Sequence, residues 1–127
     1  QLGQPNLDAE TSRQPLRVNG IDQVSALAVG YRTSCALRLG VAYCWGDVSF
    51  SGTPVTRAAT PVRIEGIPED QQITKLALGY HSGAVFLTDQ QQLYAIGDNQ
   101  LYRLFRASEP AGTCYQPNAI EMTPWDE

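Results

Sequence analysis

Three cysteines and one histidine are the residues in this 127-residue chain whose types could carry covalent or metal chemistry. Cys35 and Cys44 flank the run Ala36-Leu37-Arg38-Leu39-Gly40-Val41-Ala42-Tyr43, which reads as two short strands joined by a tight turn at Leu39-Gly40. With those two residues as the turn, Arg38 faces Val41, Leu37 faces Ala42, Ala36 faces Tyr43 and Cys35 faces Cys44. Pairs outward from a hairpin turn alternate, starting hydrogen-bonded, so the cysteines form a non-hydrogen-bonded pair, the type that brings side chains closest. Cys35 and Cys44 are therefore a candidate disulfide, with two buried thiols in a small-residue slot as the alternative. Ala84 and Ala95 are expected to fill the same places in a second unit further along. Cys114 is the odd cysteine, in a Gly-Thr-Cys-Tyr loop, and reads as a free thiol or as half of a bond to a cysteine elsewhere.

Nothing else assembles into a reactive site. A zinc site needs about four suitably spaced ligands, and His81 with three dispersed cysteines does not supply them. No serine or cysteine nucleophile and carboxylate are placed around His81 by a motif, so a surface or packing role is its default. Asp22, Asp47, Asp89 and Asp98 sit at expected turns, where carboxylates cap backbone amides. No glycine-rich loop follows a strand and opens a helix, as phosphate binding would require. No catalytic, cofactor-binding or metal residue emerges from the sequence, and no cofactor is expected. Net charge of −4 argues against a polyanion partner, since the nine Lys and Arg are scattered, and nucleic acid is excluded as the expected ligand. No apolar segment approaches the roughly 20 residues of a membrane-spanning helix. The chain opens at Gln1 with no signal peptide, the pattern expected of a mature or excised piece.

The elements that hold these residues repeat. Leu27-Ala28-Val29-Gly30-Tyr31 is echoed by Leu76-Ala77-Leu78-Gly79-Tyr80, and Tyr43-Cys44-Trp45-Gly46-Asp47 by Tyr94-Ala95-Ile96-Gly97-Asp98. Gln14-Pro15-Leu16-Arg17-Val18-Asn19-Gly20-Ile21 is echoed by Thr60-Pro61-Val62-Arg63-Ile64-Glu65-Gly66-Ile67, and the pattern begins again at Gln116-Pro117. Three landmarks in one order, about 50 residues apart, indicate stacked units that share a core. Strands are predicted over 15–21, 24–29, 61–67, 73–78 and 83–88, with the first hairpin following 30–31. The second hairpin is expected to turn at Asp89-Gln90 and close over 91–96. Residues 47–59 and 99–113 read as loops, with 101–105 a possible exception. No helical period of 3.6 is sustained over three turns. The expected fold is all-β: four-stranded antiparallel blades of a β-propeller, about two and a half of them. The boundaries are a tail at 1–11, a first repeat at 12–59, a second at 60–113 and the start of a third at 114–127.

These units resemble the repeats of the regulator of chromosome condensation family. The likeness lies in Ala28-Val29-Gly30, Ser34-Cys35-Ala36-Leu37, Val41-Ala42-Tyr43-Cys44-Trp45-Gly46, Gly97-Asp98-Asn99 and Gln1-Leu2-Gly3. It implies a seven-bladed propeller, of which this chain is a divergent partial segment. Thr33 and Ser82 stand where the family has His, Val48 where Asn is usual, and Tyr102 where Gly is usual. Family members with this Cys-Ala-Leu and Cys-Trp-Gly form are often exported, which favours a secreted or cell-surface location over the cytoplasmic alternative. Closure of a propeller takes four or more blades, so protein partners are expected, including the rest of the propeller.

Trp45 and Ile96 share one repeat position and read as core, and Tyr31 and Tyr80 are expected near a rim. The functional candidates are the loops that differ between units. The second holds Tyr102, Arg103, Phe105 and Arg106, an aromatic–arginine set of the kind enriched at interfaces; a loop packed on its own blade is the other reading. The expected function is a protein–protein interaction or scaffold module without intrinsic catalysis. Two alternatives stand beside it: guanine-nucleotide exchange on a small GTPase, by family analogy, and a structural segment of a large assembly.

Overall fold

The computed structural model describes residues 3, 12–48, 57–79, 83–98 and 115–121, the side chains of 98 and 115–121 excepted. It is built of strands: β1 (Val24–Val29), β2 (Thr33–Arg38), β3 (Val41–Asp47), β4 (Arg57–Arg63), β5 (Ile73–Leu78), β6 (Gly83–Thr88), β7 (Leu93–Asp98) and β8 (Tyr115–Glu121). They form two four-stranded antiparallel sheets, ordered β1-β2-β3-β4 and β5-β6-β7-β8. The described residues contain no helix.

The first hairpin has the register read from its sequence, with Arg38 opposite Val41, Leu37 opposite Ala42 and Cys35 opposite Cys44. Leu39 and Gly40 both take positive φ, 49° and 77°. A two-residue turn needs that mirror-image backbone to match the twist of its strands. The repeated glycines of the third strands have a similar reason. Gly46 and Gly97 lie where β3 and β7 shift register against their outer neighbours, with φ of 91° and 117°. A residue with a Cβ would be strained there.

Several sequence expectations are corrected. Residues 15–21 are not a strand; the backbone bond found there runs from the Asn19 N–H to the Gly3 carbonyl at 2.9 Å. A blade's outer strand needs the third strand of its own sheet, and no described strand stands beside 15–21. The strand expected over 61–67 lies at 57–63, so the 47–59 loop ends earlier than its composition suggested. That strand hydrogen-bonds to β3, so the residues that open a sequence repeat close the preceding sheet, and β8 does the same beside β7. The second turn spans three residues, not Asp89-Gln90 alone. Gln91 N–H donates to the Thr88 carbonyl, Thr88 N–H to the Gln92 carbonyl, and Gln91 takes φ of 63°. β7 accordingly begins at Leu93 rather than at 91.

The equivalence of Ala84 and Ala95 to the two cysteines also changes. Gly30 N–H donates to the Thr33 carbonyl, whereas Gly79 N–H donates to the Gly83 carbonyl, so the β5–β6 connection is one residue longer. Register then places Val85 opposite Ala95, as Cys35 is opposite Cys44, while Ala84 faces Ile96. The counterparts of Cys35 and Cys44 are Val85 and Ala95.

The core lies between the sheets. Cys35, Leu37, Ala42 and Cys44 from the first sheet share one buried cluster with Ala84, Phe86, Tyr94 and Ile96 from the second, with Leu76 and Leu78 packed on it. The inner strands β1 and β5 run side by side, and β2 also touches β5. Ile73 N–H donates to the Gly40 carbonyl at 2.9 Å, tying the first hairpin's turn to the start of the second sheet. Apolar faces buried between stacked sheets supply the principal favourable term in such a fold.

Candidate functional site

Strand direction sorts the connections onto two rims. β1 ends at Val29, β3 at Asp47, β5 at Leu78 and β7 at Asp98, so 30–32, 48–56, 79–82 and 99–114 all leave and re-enter the sheets at one rim. The two sheets agree in this, because a Cβ built on Gly30 would lie 3.0 Å from the Gly79 carbonyl oxygen. The opposite rim carries the turns at 39–40 and 89–92 and the inter-sheet segment 64–72. The loops singled out from the sequence as functional candidates thus start and end at one edge of the molecule, a grouping that only the topology reveals.

Within the described residues, this rim presents Tyr31, Arg32, Asp47 and Arg57. Tyr31 is 58% exposed, and the Arg32 guanidinium carbon lies 5.3 Å from the centre of its ring. A stacked tyrosine–arginine pair is a pre-ordered, amphipathic contact that costs little further side-chain entropy on binding. The backbone beneath is fixed. Thr33, buried where the resemblance expects His, donates its hydroxyl to the Asp47 carbonyl at 2.6 Å. Asp47 N–H donates to the Arg32 carbonyl at 2.8 Å, and Asp47 pairs in register with exposed Arg57. Arg32 and Arg57 therefore stand on either side of β3's last residue on a hydrogen-bonded platform.

Other sequence candidates fall as follows. Cys35 and Cys44 are joined by a disulfide, with Cα atoms 4.1 Å apart and no exposed surface on either residue. Asp89 accepts the Gln72 N–H at 3.1 Å, capping an amide of the inter-sheet segment rather than of its own turn. Asp22 pairs with Arg38 Nε at 3.0 Å. His81, Cys114, and the Tyr102, Arg103, Phe105 and Arg106 set lie outside the described residues. Among those described, no group of three or more His, Cys, Asp or Glu could hold a metal ion. No described helix is long and apolar enough to cross a membrane.

A second feature was not foreseen. Trp45 is buried as expected, but it helps line an open groove of about 280 Å³ on the first sheet's far face, with Val18, Ile21, Val24, Leu27 and Val29. Leu27 and Val29 are 71% and 69% exposed there. The alternation of β1 hinted at an apolar face, but the sequence alone does not say which faces find a neighbour.

No family model matches the chain, and no curated protein matches it by sequence. Solved structures do. Human WBSCR16 matches with a TM-score of 0.67 and 22% identity over 87% of this chain. Prp20p from Saccharomyces cerevisiae, a structure reported with its binding properties to Gsp1p and histones, matches with a TM-score of 0.60 and 18% identity over 83%. The chain spans 29% and 28% of their lengths, less than a third of either. The likeness shows the fold: the two sheets are blades of a β-propeller segment like those of the regulator of chromosome condensation family.

Proposed function

We propose that the chain is the protein-interaction segment of a larger propeller, whose far sheet faces receive neighbouring blades and whose long-loop rim meets a protein partner. The observation that carries the reading is the unequal treatment of equivalent residues. Leu76 and Leu78 pack on the first sheet, whereas Leu27 and Val29, their counterparts on β1, face outward into the groove. Contiguous exposed aliphatic side chains on a sheet face mark a surface that another element covers, and a further blade has the matching shape. The short span relative to both solved neighbours supports the same reading. Binding is then the business of the rim, with Tyr31, Arg32 and Arg57 as described contacts and the 99–114 connection leaving the same edge. The reading assigns the chain no catalysis of its own.

The test is sedimentation of the native complex isolated from its source. Tyr31→Ala with Arg32→Ala is expected to release the partner and lower the complex mass, while Glu69→Ala with Asp70→Ala on the opposite rim leaves it unchanged. Equal behaviour of the two pairs would overturn the rim assignment. Acceleration of guanine-nucleotide release from a small GTPase, lost in the same rim variant, would replace the scaffold reading with the exchange alternative.

A further inference from the structure

We propose that the stacking of the two sheets is a redox gate: the Cys35–Cys44 disulfide exchanges with thiols only while the second sheet is lifted from the first. The gate needs no partner and stands apart from the rim. Both half-cystines are fully buried on the face of the first sheet that packs on the second. Their cluster includes Phe86 and Ile96, both without exposed surface. The groove on the far face reaches Cys35 but not Cys44, and Cys35 has no accessible surface even there. The counterpart pair Val85 and Ala95 face each other across β6 and β7 without sulfur, so strand pairing at that position does not itself need a disulfide. The cystine is therefore more than the hairpin pairing requires, and it lies at the one inter-sheet contact among the described residues.

Reduction by a dithiol needs a thiolate to reach one sulfur of the bond. The thiolate forms a mixed disulfide with that cysteine and expels the other as a thiolate, which takes up a proton. The reductant's second thiol then displaces the first cysteine. Two electrons pass to the bond, two cysteine thiols result, and the dithiol leaves as a cyclic disulfide. With no surface on either half-cystine, the first step waits for the sheets to part. Local opening of this kind has a free energy set by the apolar packing between the sheets that must be undone. Oxidation is subject to the same gate, so the bond forms only while the sheets are apart and is sealed when they stack.

The test follows reduction of the full chain by dithiothreitol, quenched by alkylation and read by intact mass. In native buffer the rate is expected to level off with dithiothreitol concentration and to lie at least about 100-fold below that of the urea-unfolded chain. Phe86→Ala is expected to speed it at least about tenfold, while Lys75→Ala, exposed on the second sheet, leaves it unchanged. If Phe86→Ala does not fold, urea below the unfolding transition replaces it and must raise the rate of the unsubstituted chain steadily. Reduction in native buffer at the unfolded-chain rate would overturn the proposal. So would a rate indifferent to both Phe86→Ala and sub-transition urea, or free thiols at both positions in the protein as isolated.

Discussion

The two sheets share strand order, register shifts at equivalent positions and a positive-φ glycine in the third strand, yet equivalent residues in them live in different surroundings. Leu27 and Val29 point outward from one sheet, and Leu76 and Leu78 are packed from the other. Leu37 is buried between the sheets, while its counterpart Leu87 is only half-covered. A Cβ on Gly30 would meet the Gly79 carbonyl oxygen at 3.0 Å and the Leu78 Cβ at 3.3 Å. On Gly79 it would meet nothing nearer than 3.7 Å. A residue's burial in this architecture is thus set by which neighbour its sheet has, and only secondarily by its own type.

Substitutions put that contrast at risk. The largest effect is expected at Phe86, fully buried in the second sheet, whose counterpart in register is Ala36. Phe86→Ala should cost about 3–5 kcal/mol in urea unfolding, since the lost transfer energy and the cavity add. Next comes a paired test across one sheet. Leu37→Ala should cost about 2–5 kcal/mol, whereas Leu27→Ala should cost under about 1 kcal/mol in the isolated chain and clearly more in the native assembly. Similar costs for the two in the isolated chain would show that the far face is already covered. A smaller effect separates the equivalent glycines. Gly30→Ala, forced against a backbone carbonyl, should destabilise by about 1–3 kcal/mol, and Gly79→Ala should stay within about 0.5 kcal/mol, both read from the denaturation midpoint. The smallest is Arg38→Ala. The ion pair with Asp22 has both side chains partly or largely exposed, so its loss should cost less than about 1 kcal/mol and vanish as salt is raised.

The first hairpin was legible because its information is local. Leu39-Gly40 marks a two-residue turn, and a two-residue turn fixes every facing pair, including Cys35 and Cys44. The second hairpin differs by one residue from its sequence reading because its bulge residue is Gln91, which carries no glycine signal for its positive φ. The same limit applies between Gly79 and Gly83, where one added residue moved the cysteine counterpart from Ala84 to Val85. The Pro-flanked segment at 15–21 has the composition of a strand that forms only where a sheet edge stands beside it, and composition does not report edges. The candidate rim was the least legible. The loops were recognisable by their divergence, but their meeting at one edge is a property of strand direction. The Tyr31–Arg32 stack follows from a turn whose geometry the residues alone did not specify.

In the working protein the outward face of the first sheet is proposed to be covered by a further blade, and hydroxyl-radical footprinting at Leu27 and Val29 tests this most directly. The comparison is between the protein isolated from its native source and the 127-residue chain alone. A covering blade would protect both residues strongly in the native protein, with Leu76 and Leu78 protected in both samples. Oxidation of Leu27 and Val29 at the same rate in both would contradict it and leave the chain a two-sheet unit with one face open to solvent.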